Sequence, residues 1–240
     1  MKQRINLIPH IFFVLLALAC LGLWGTRASA SGNAAPSAPL QAEKGKFNIL
    51  LDGNSVGHEQ FDIAANGSGW IASGSSELTP PGGKKAKVTG KLTIQRDGSP
   101  VAYDWSAQTD KTNGAHIDFS NGVAKIILQM QGARPFEQDL TFGGPVIAVL
   151  DNNLYYQYAV LPLIYDWSKG GAQTFPVIIP QELTPGTITV EANGPVSADG
   201  VSYQGLKVAT SDLEVQLYLD SAHRLMRLEV PSAKVVVIRE

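Results

Sequence analysis

From Phe47 onward, apolar and polar residues alternate with a period of two, the pattern of strands with one buried and one wet face. In VTGKLTIQ, Val88, Gly90, Leu92 and Ile94 share a face opposite Thr89, Lys91, Thr93 and Gln95. VAYDWS groups Val101, Tyr103 and Trp105, and LEVQLYL groups Leu213, Val215, Leu217 and Leu219. MRLEV sets Met226, Leu228 and Val230 against Arg227 and Glu229. Asp97-Gly98, Asn121-Gly122 and Asp199-Gly200 break the pattern with dipeptides that accept the positive φ of tight hairpins. Asp52-Gly53-Asn54, Asn66-Gly67 and Asp220-Ser221 are further turn candidates. The expectation is an all-β, mainly antiparallel domain of about ten strands, too many for a flat sheet, hence a strongly curved sheet or an open β-barrel.

One stretch departs from this pattern. VLDNNLYYQYAVLPLIYDWSKGG, from Val149 to Gly171, is aromatic and aliphatic with little charge. Asp151 is placed to cap a helix, and Leu150 to pack against Tyr155. Lys169 suits a helix C-terminus, and Gly170-Gly171 permits a left-handed exit. Pro162 opposes an unbroken helix by about 3 kcal/mol. Each large apolar side chain buried returns about 1.5–3 kcal/mol, so burial of most of the segment outweighs the proline. The segment therefore predicts one inserted apolar helix near 152–167, kinked near Leu161 and lying inside the concavity of the sheet.

The first thirty residues stand apart. Lys2 and Arg4 precede an apolar run from Ile11 to Gly25, and Ala28-Ser29-Ala30 is a small-x-small site. This reads as a secretory signal peptide, residues 1–30, cut after Ala30. The alternatives are an uncleaved anchor and a lipoprotein attached through Cys20 in LALAC. Residues 31–45, rich in Ala, Pro, Ser and Gly, read as a flexible linker, and residues 46–240 as a single β-rich domain.

Cleavage removes three basic residues and no acidic one, taking the formal charge from −2 to −5. A mildly acidic chain without a basic cluster is a poor partner for nucleic acid. The one cysteine leaves with the signal, which excludes a disulfide-linked partner and a thiolate site. The expected location is periplasmic or otherwise extracytoplasmic.

Several motifs suggest chemistry. GNSVG, from Gly53 to Gly57, fits the nucleophile elbow, but Ser55 leads into the alternating VGHEQFDI and not into a helix. In that run Val56, His58 and Gln60 alternate with Gly57, Glu59 and Phe61, so His58 and Glu59 point to opposite faces and cannot share a metal. His116 and His223 stand alone. GSGWIA lacks the following helix that a dinucleotide fingerprint needs. Glu137 and Asp139 share a strand face, with solvation as the simple account. No catalytic set, metal set or cofactor motif emerges, and the expectation is a protein that is not an enzyme.

The aromatic residues remain. Trp70, Trp105, Tyr155, Tyr156, Tyr158 and Trp167, with Leu161 and Ile164, are the candidate ligand-binding residues if they line a cavity; otherwise they form a plain core. The export signal, FNILLDGNSVGHEQFDI, hairpins of the LTIQRDGSPVAYDW kind and the closing LYLDSAHRLMRLEVPSAKVVVIRE resemble uncharacterised bacterial envelope domains similar to the lipoprotein-carrier (LolA/LolB-like) half-barrels. The resemblance implies a curved sheet holding acyl chains between its concave face and a helix, with Tyr155 to Trp167 at that seat. Two readings stay open. One is an exported envelope protein binding a hydrophobic or amphipathic, lipid-like ligand between sheet and helix. The other is a non-enzymatic envelope scaffold with a filled core that binds envelope proteins through a sheet edge or its Pro-rich loop.

Overall fold

The computed structural model describes residues 40–240. The expected signal peptide and residues 31–39 of the expected linker lie outside the described residues. The first strand, β1 (Glu43–Leu51), starts within the expected linker, because Glu43 already pairs with Ile63.

Seven further strands follow by hairpins: β2 (Asn54–Asn66), β3 (Gly69–Leu78), β4 (Ala86–Ile94), β5 (Pro100–Gln108), β6 (Thr112–Ser120), β7 (Val123–Met130) and β8 (Phe136–Thr141). The two-residue β9 (Ala148–Val149) leads into the apolar segment. Six strands complete the chain: β10 (Ala172–Ile179), β11 (Thr184–Ala198), β12 (Val201–Ala209), β13 (Glu214–Leu219), β14 (Leu225–Val230) and β15 (Val235–Arg239). All belong to one sheet in the order β8-β7-β6-β5-β4-β3-β2-β1-β15-β14-β13-β12-β11-β10-β9, antiparallel throughout except between β9 and β10. The sheet is not closed, since β8 and β9 end the order without pairing with each other.

The fold class is as expected, but the strand count is fifteen and not about ten. Two of the strands, β10 and β11, carry residues that local preference keeps out of sheets. Pro176 lies in β10, where β9 pairs only with Val177 and Ile178, so the missing N–H of the proline interrupts no ladder on that side. Gly194 and Pro195 of β11 sit beside a register shift against β12.

Three of the candidate turn dipeptides have the geometry read for them, whereas at Asp97-Gly98 only Gly98 has positive φ and at Asp220-Ser221 neither residue does. Asp52-Gly53, Asn121-Gly122 and Asp199-Gly200 each have positive φ at both residues. Val88, Gly90, Leu92 and Ile94 are all buried on one face. Two phases shift at bulges. A register change near Thr93/Ile94 turns Val101 outward, 40 % exposed, while Tyr103 and Trp105 stay inside. A second change between Tyr218 and Leu219 buries Leu225 in place of Met226.

The inserted segment is helical but shorter and tighter than expected. Tyr155–Val160 form a 3-10 helix that passes directly into α1 (Leu161–Ile164). The change at Leu161 coincides with the expected kink. Pro162 sits in the first turn of α1, where its absent N–H interrupts no intrahelical bond. Leu154, Tyr156, Leu161, Leu163 and Tyr165 are buried within the curved sheet.

Candidate functional site

Two facing glycines seat the segment. Gly74 of β3 and Gly90 of β4 are register partners on the inner row that also holds Phe61, Trp105 and Ala115. A methyl group on Gly74 would overlap the Tyr156 ring and lie 2.6 Å from Glu59 Oε1. One on Gly90 would lie 2.8 Å from both Tyr103 Oη and Tyr156 Oη. The glycines thus form a floor on which the fully buried Tyr156 rests.

Two buried acids lock the segment in place. Glu59 of β2 is 0 % exposed and accepts the backbone N–H of Tyr155 at 2.7 Å and of Tyr156 at 3.1 Å. It satisfies the free donors at the start of the 3-10 helix, the role expected of Asp151. Asp151 instead accepts the Tyr103 hydroxyl at 2.9 Å and the N–H groups of Asn152 and Gln181 at 3.0 Å each. Gln157 Oε1 accepts the Asp151 N–H at 2.5 Å. Burial raises the Glu59 carboxyl to about 8, against the lowering pull of two N–H groups. Burial likewise raises Asp151 to about 7, with the Gln181 N–H, the Tyr103 hydroxyl and the Asn152 N–H opposing. No cation enters either balance, so desolvation wins.

The eight aromatic and aliphatic candidates fall in separate surroundings. Tyr155, Tyr156 and Leu161 are buried in the packed segment. Half-buried Tyr158 borders a space of about 40 Å³ with Leu150, Ile179, Ile188, Val208 and Val215. Ile164 is half-buried, with Gly98 beside it. Trp167 stacks on His223, with ring centres 4.0 Å apart, and donates its N–H to Pro162 O at 3.0 Å. Trp70 is half-buried next to the β2–β3 turn, paired with Ala65 and Ile94. Trp105 alone of the eight lines a larger cavity of about 540 Å³. Its other lining residues are Asp104, Ser106, Thr112, Asn113, Gly114, Ala115, His116, Gln129, Met130, Gln131, Ala133 and Pro135.

Ser55 and His58 lie on β2 without the elbow or metal geometry their motifs suggested; the Ser55 hydroxyl donates to Asn48 Oδ1 at 2.6 Å. His116 does not stand alone: Nδ1 is 2.7 Å from Asp104 and Nε2 is 3.2 Å from Asp118, and the hydrogen bond to Asp104 raises its pKa.

The two ends of the sheet differ. Beyond β9, Asp151 binds Tyr103 of β5, and the 3-10 turn Pro180–Glu182 packs against β6, so this edge is tucked inside. At the other end, among the described residues, β8 pairs with β7 on one side only. Phe136 there is 43 % exposed, and Glu137 and Asp139 are exposed with no ion pair among the described residues.

This architecture has a solved counterpart. A β-barrel-like protein of the domain of unknown function DUF1849 from Brucella abortus superimposes with a TM-score of 0.59 at 8 % identity, over 85 % of this chain and 96 % of that one. A DUF1089 family protein from Pseudomonas aeruginosa gives a TM-score of 0.46 at 10 % identity, over 87 % of this chain and 98 % of that one. No protein-family model and no curated protein matches the sequence. The chain is a β-barrel-like domain, and at this identity the likeness is one of fold.

The buried acids escaped the sequence reading although a signal was present. Glu59 falls in phase with Phe61 and Ile63 on the inner face of β2, a carboxylate where the alternation calls for an apolar residue. Asp151 looks like an ordinary helix cap until the fold brings Tyr103 to it.

Proposed function

We propose that the protein is an extracytoplasmic, non-enzymatic binding module that takes up an extended polypeptide strand on the free edge of β8. The observation that carries this reading is the asymmetry of the sheet: one edge is short and tucked inside, and the other is six residues long, exposed and, among the described residues, unpaired. An exposed edge offers unpaired backbone N–H and C=O groups, and addition of a partner strand satisfies them. The partner is a segment with Lys or Arg at alternate positions, because Glu137 and Asp139 project from one face of β8 and form no ion pair among the described residues, although Lys125 of β7 stands opposite Asp139. A second copy of β8 is a poor occupant. An antiparallel pairing that keeps the concave faces continuous sets Glu137 or Asp139 opposite an acid of the other copy, which is destabilising.

The carrier-like alternative places an acyl chain between sheet and helix. There the Tyr156 ring already rests on Gly74 and Gly90, and this packing favours the scaffold reading. The extracytoplasmic location rests on Lys2, Arg4, the apolar run and Ala28-Ser29-Ala30.

The test is a fluorescence-anisotropy titration with a short peptide alternating Lys and Val, and with its Glu–Val counterpart. The Lys–Val peptide binds, binding weakens as salt screens the acids, and the Glu137→Lys/Asp139→Lys variant reverses the preference. Equal binding of both peptides, or no effect of the charge reversal, overturns the reading.

A further inference from the structure

Four asparagines stand directly before a glycine: Asn66-Gly67, Asn113-Gly114, Asn121-Gly122 and Asn193-Gly194. Glycine has no side chain to shield its backbone nitrogen, so that nitrogen can reach the amide carbon of the preceding asparagine. The approach needs room for the glycine to move, a glycine N–H without a partner and an asparagine amide free to turn. The four pairs differ in these respects. Asn113-Gly114 lies within β6, paired with β5 on one side and β7 on the other, and a methyl group on Gly114 would meet Trp105 O at 2.5 Å. Asn121-Gly122 closes a hairpin, yet Gly122 is buried, with Gly144 O and Phe142 O at 3.0 and 3.1 Å from the same point on it. Its carbonyl also accepts the Phe142 N–H at 2.7 Å. The Asn193 amide is held by Gln216, to which it donates at 2.7 Å and from which it accepts at 3.4 Å. Asn66 carries none of these restraints. It is exposed at the end of β2, and its side chain makes no hydrogen bond among the described residues. Gly67 has a φ of 58°, an N–H with no partner among the described residues, and nothing within 4 Å of the point where a methyl group would stand.

We infer that Asn66 is a modification site, where the chain deamidates spontaneously and forms isoaspartate. The Gly67 nitrogen bonds to the Asn66 amide carbon, the side-chain carbon–nitrogen bond breaks, and ammonia leaves with the proton that Gly67 gives up. The succinimide ring so formed then takes up one water. Opening at its backbone carbonyl yields isoaspartate, with the chain rerouted through the side chain and one methylene longer. Opening at the former amide carbon yields aspartate. Either product adds a negative charge at the tip of the β2–β3 hairpin. The site is the last pair of that ladder, Asn66 with Gly69, and the pairs from Gly57 to Ala65 lie before it, so the modified chain keeps its fold. This inference rests on the turn alone and stands apart from the β8 edge.

The test is incubation of the purified, folded protein at pH 8, followed by peptide mapping with electron-transfer fragmentation, which separates isoaspartate from aspartate. Labelling of the intact chain by an isoaspartyl methyltransferase is the second readout, and a synthetic peptide of residues 62–71 is the unrestrained reference. Isoaspartate accumulates at Asn66 about tenfold faster than at Asn113, Asn121 or Asn193, the equivalent of about 1.4 kcal/mol in the barrier. Labelling falls to background in Asn66→Gln, whose longer side chain closes no five-membered ring. Circular dichroism of the aged protein matches that of the fresh sample. Equal rates at all of these sites, or a faster rate at one of the other three, overturns the inference. So does an unmodified Asn66 once the reference peptide has converted, or labelling that persists undiminished in Asn66→Gln.

Discussion

Replacing Glu59 by Gln changes stability with a sign that depends on pH. Glu59 has a carboxyl raised from 4.5 to about 8 by burial. Between those values the folded state holds a proton that the unfolded chain releases, so stability falls as pH rises. The slope from this group is about 1.4 kcal/mol per pH unit, a loss of about 3 kcal/mol from pH 4.5 to pH 7. The amide introduced by Glu59→Gln does not titrate, but only one of its two head-group atoms accepts. Of the N–H groups of Tyr155 and Tyr156, both now bound to Glu59, one loses its partner. An unsatisfied buried donor costs about 1–3 kcal/mol. Glu59→Gln is therefore less stable than the parent at pH 5 and more stable at pH 8, with the curves crossing at about pH 6 where the two costs match. Urea unfolding followed by tryptophan fluorescence at half-unit pH steps measures this. Asp151, raised from 3.8 to about 7, leaves both proteins a shared residual decline. Parallel curves for the two proteins, or parent stability that rises from pH 5 to pH 8, refute the reasoning.

Other expectations follow from the same contacts. Gly74→Ala, which forces Tyr156 and Glu59 apart, lowers stability by about 1–3 kcal/mol, and a Tyr156→Leu background absorbs part of that loss in a double-mutant cycle. Tyr103→Phe removes the hydroxyl donor to Asp151 and costs about 1–3 kcal/mol. It also raises the Asp151 pKa further, so in urea melts the decline of stability extends to higher pH than in the parent.

The fold was legible where backbone geometry demands particular residues. Only a few dipeptides suit two successive positive φ angles, so Asp52-Gly53, Asn121-Gly122 and Asp199-Gly200 marked their hairpins in advance. The apolar alternation marked β4 for the same kind of reason. Legibility failed where long-range context overrides local preference. Pro176 enters β10 because the neighbouring strand is too short to need its N–H, and the bulges at Val101 and Met226 shift phase by one residue without any sign in composition. The aromatic segment was identified as buried and helical, yet its cap came from Glu59, far away in sequence. Among the eight expected cavity residues only Trp105 reaches the larger cavity, since alternation shows which face a residue occupies and not which part of a curved face another element fills.

Amide hydrogen exchange across the whole sheet, with and without the Lys–Val peptide, tests the edge-binding account most directly. The account predicts that the peptide slows exchange at residues 136–141 and leaves residues 154–164 unchanged. Protection appearing at 154–164 while β8 continues to exchange freely would contradict it.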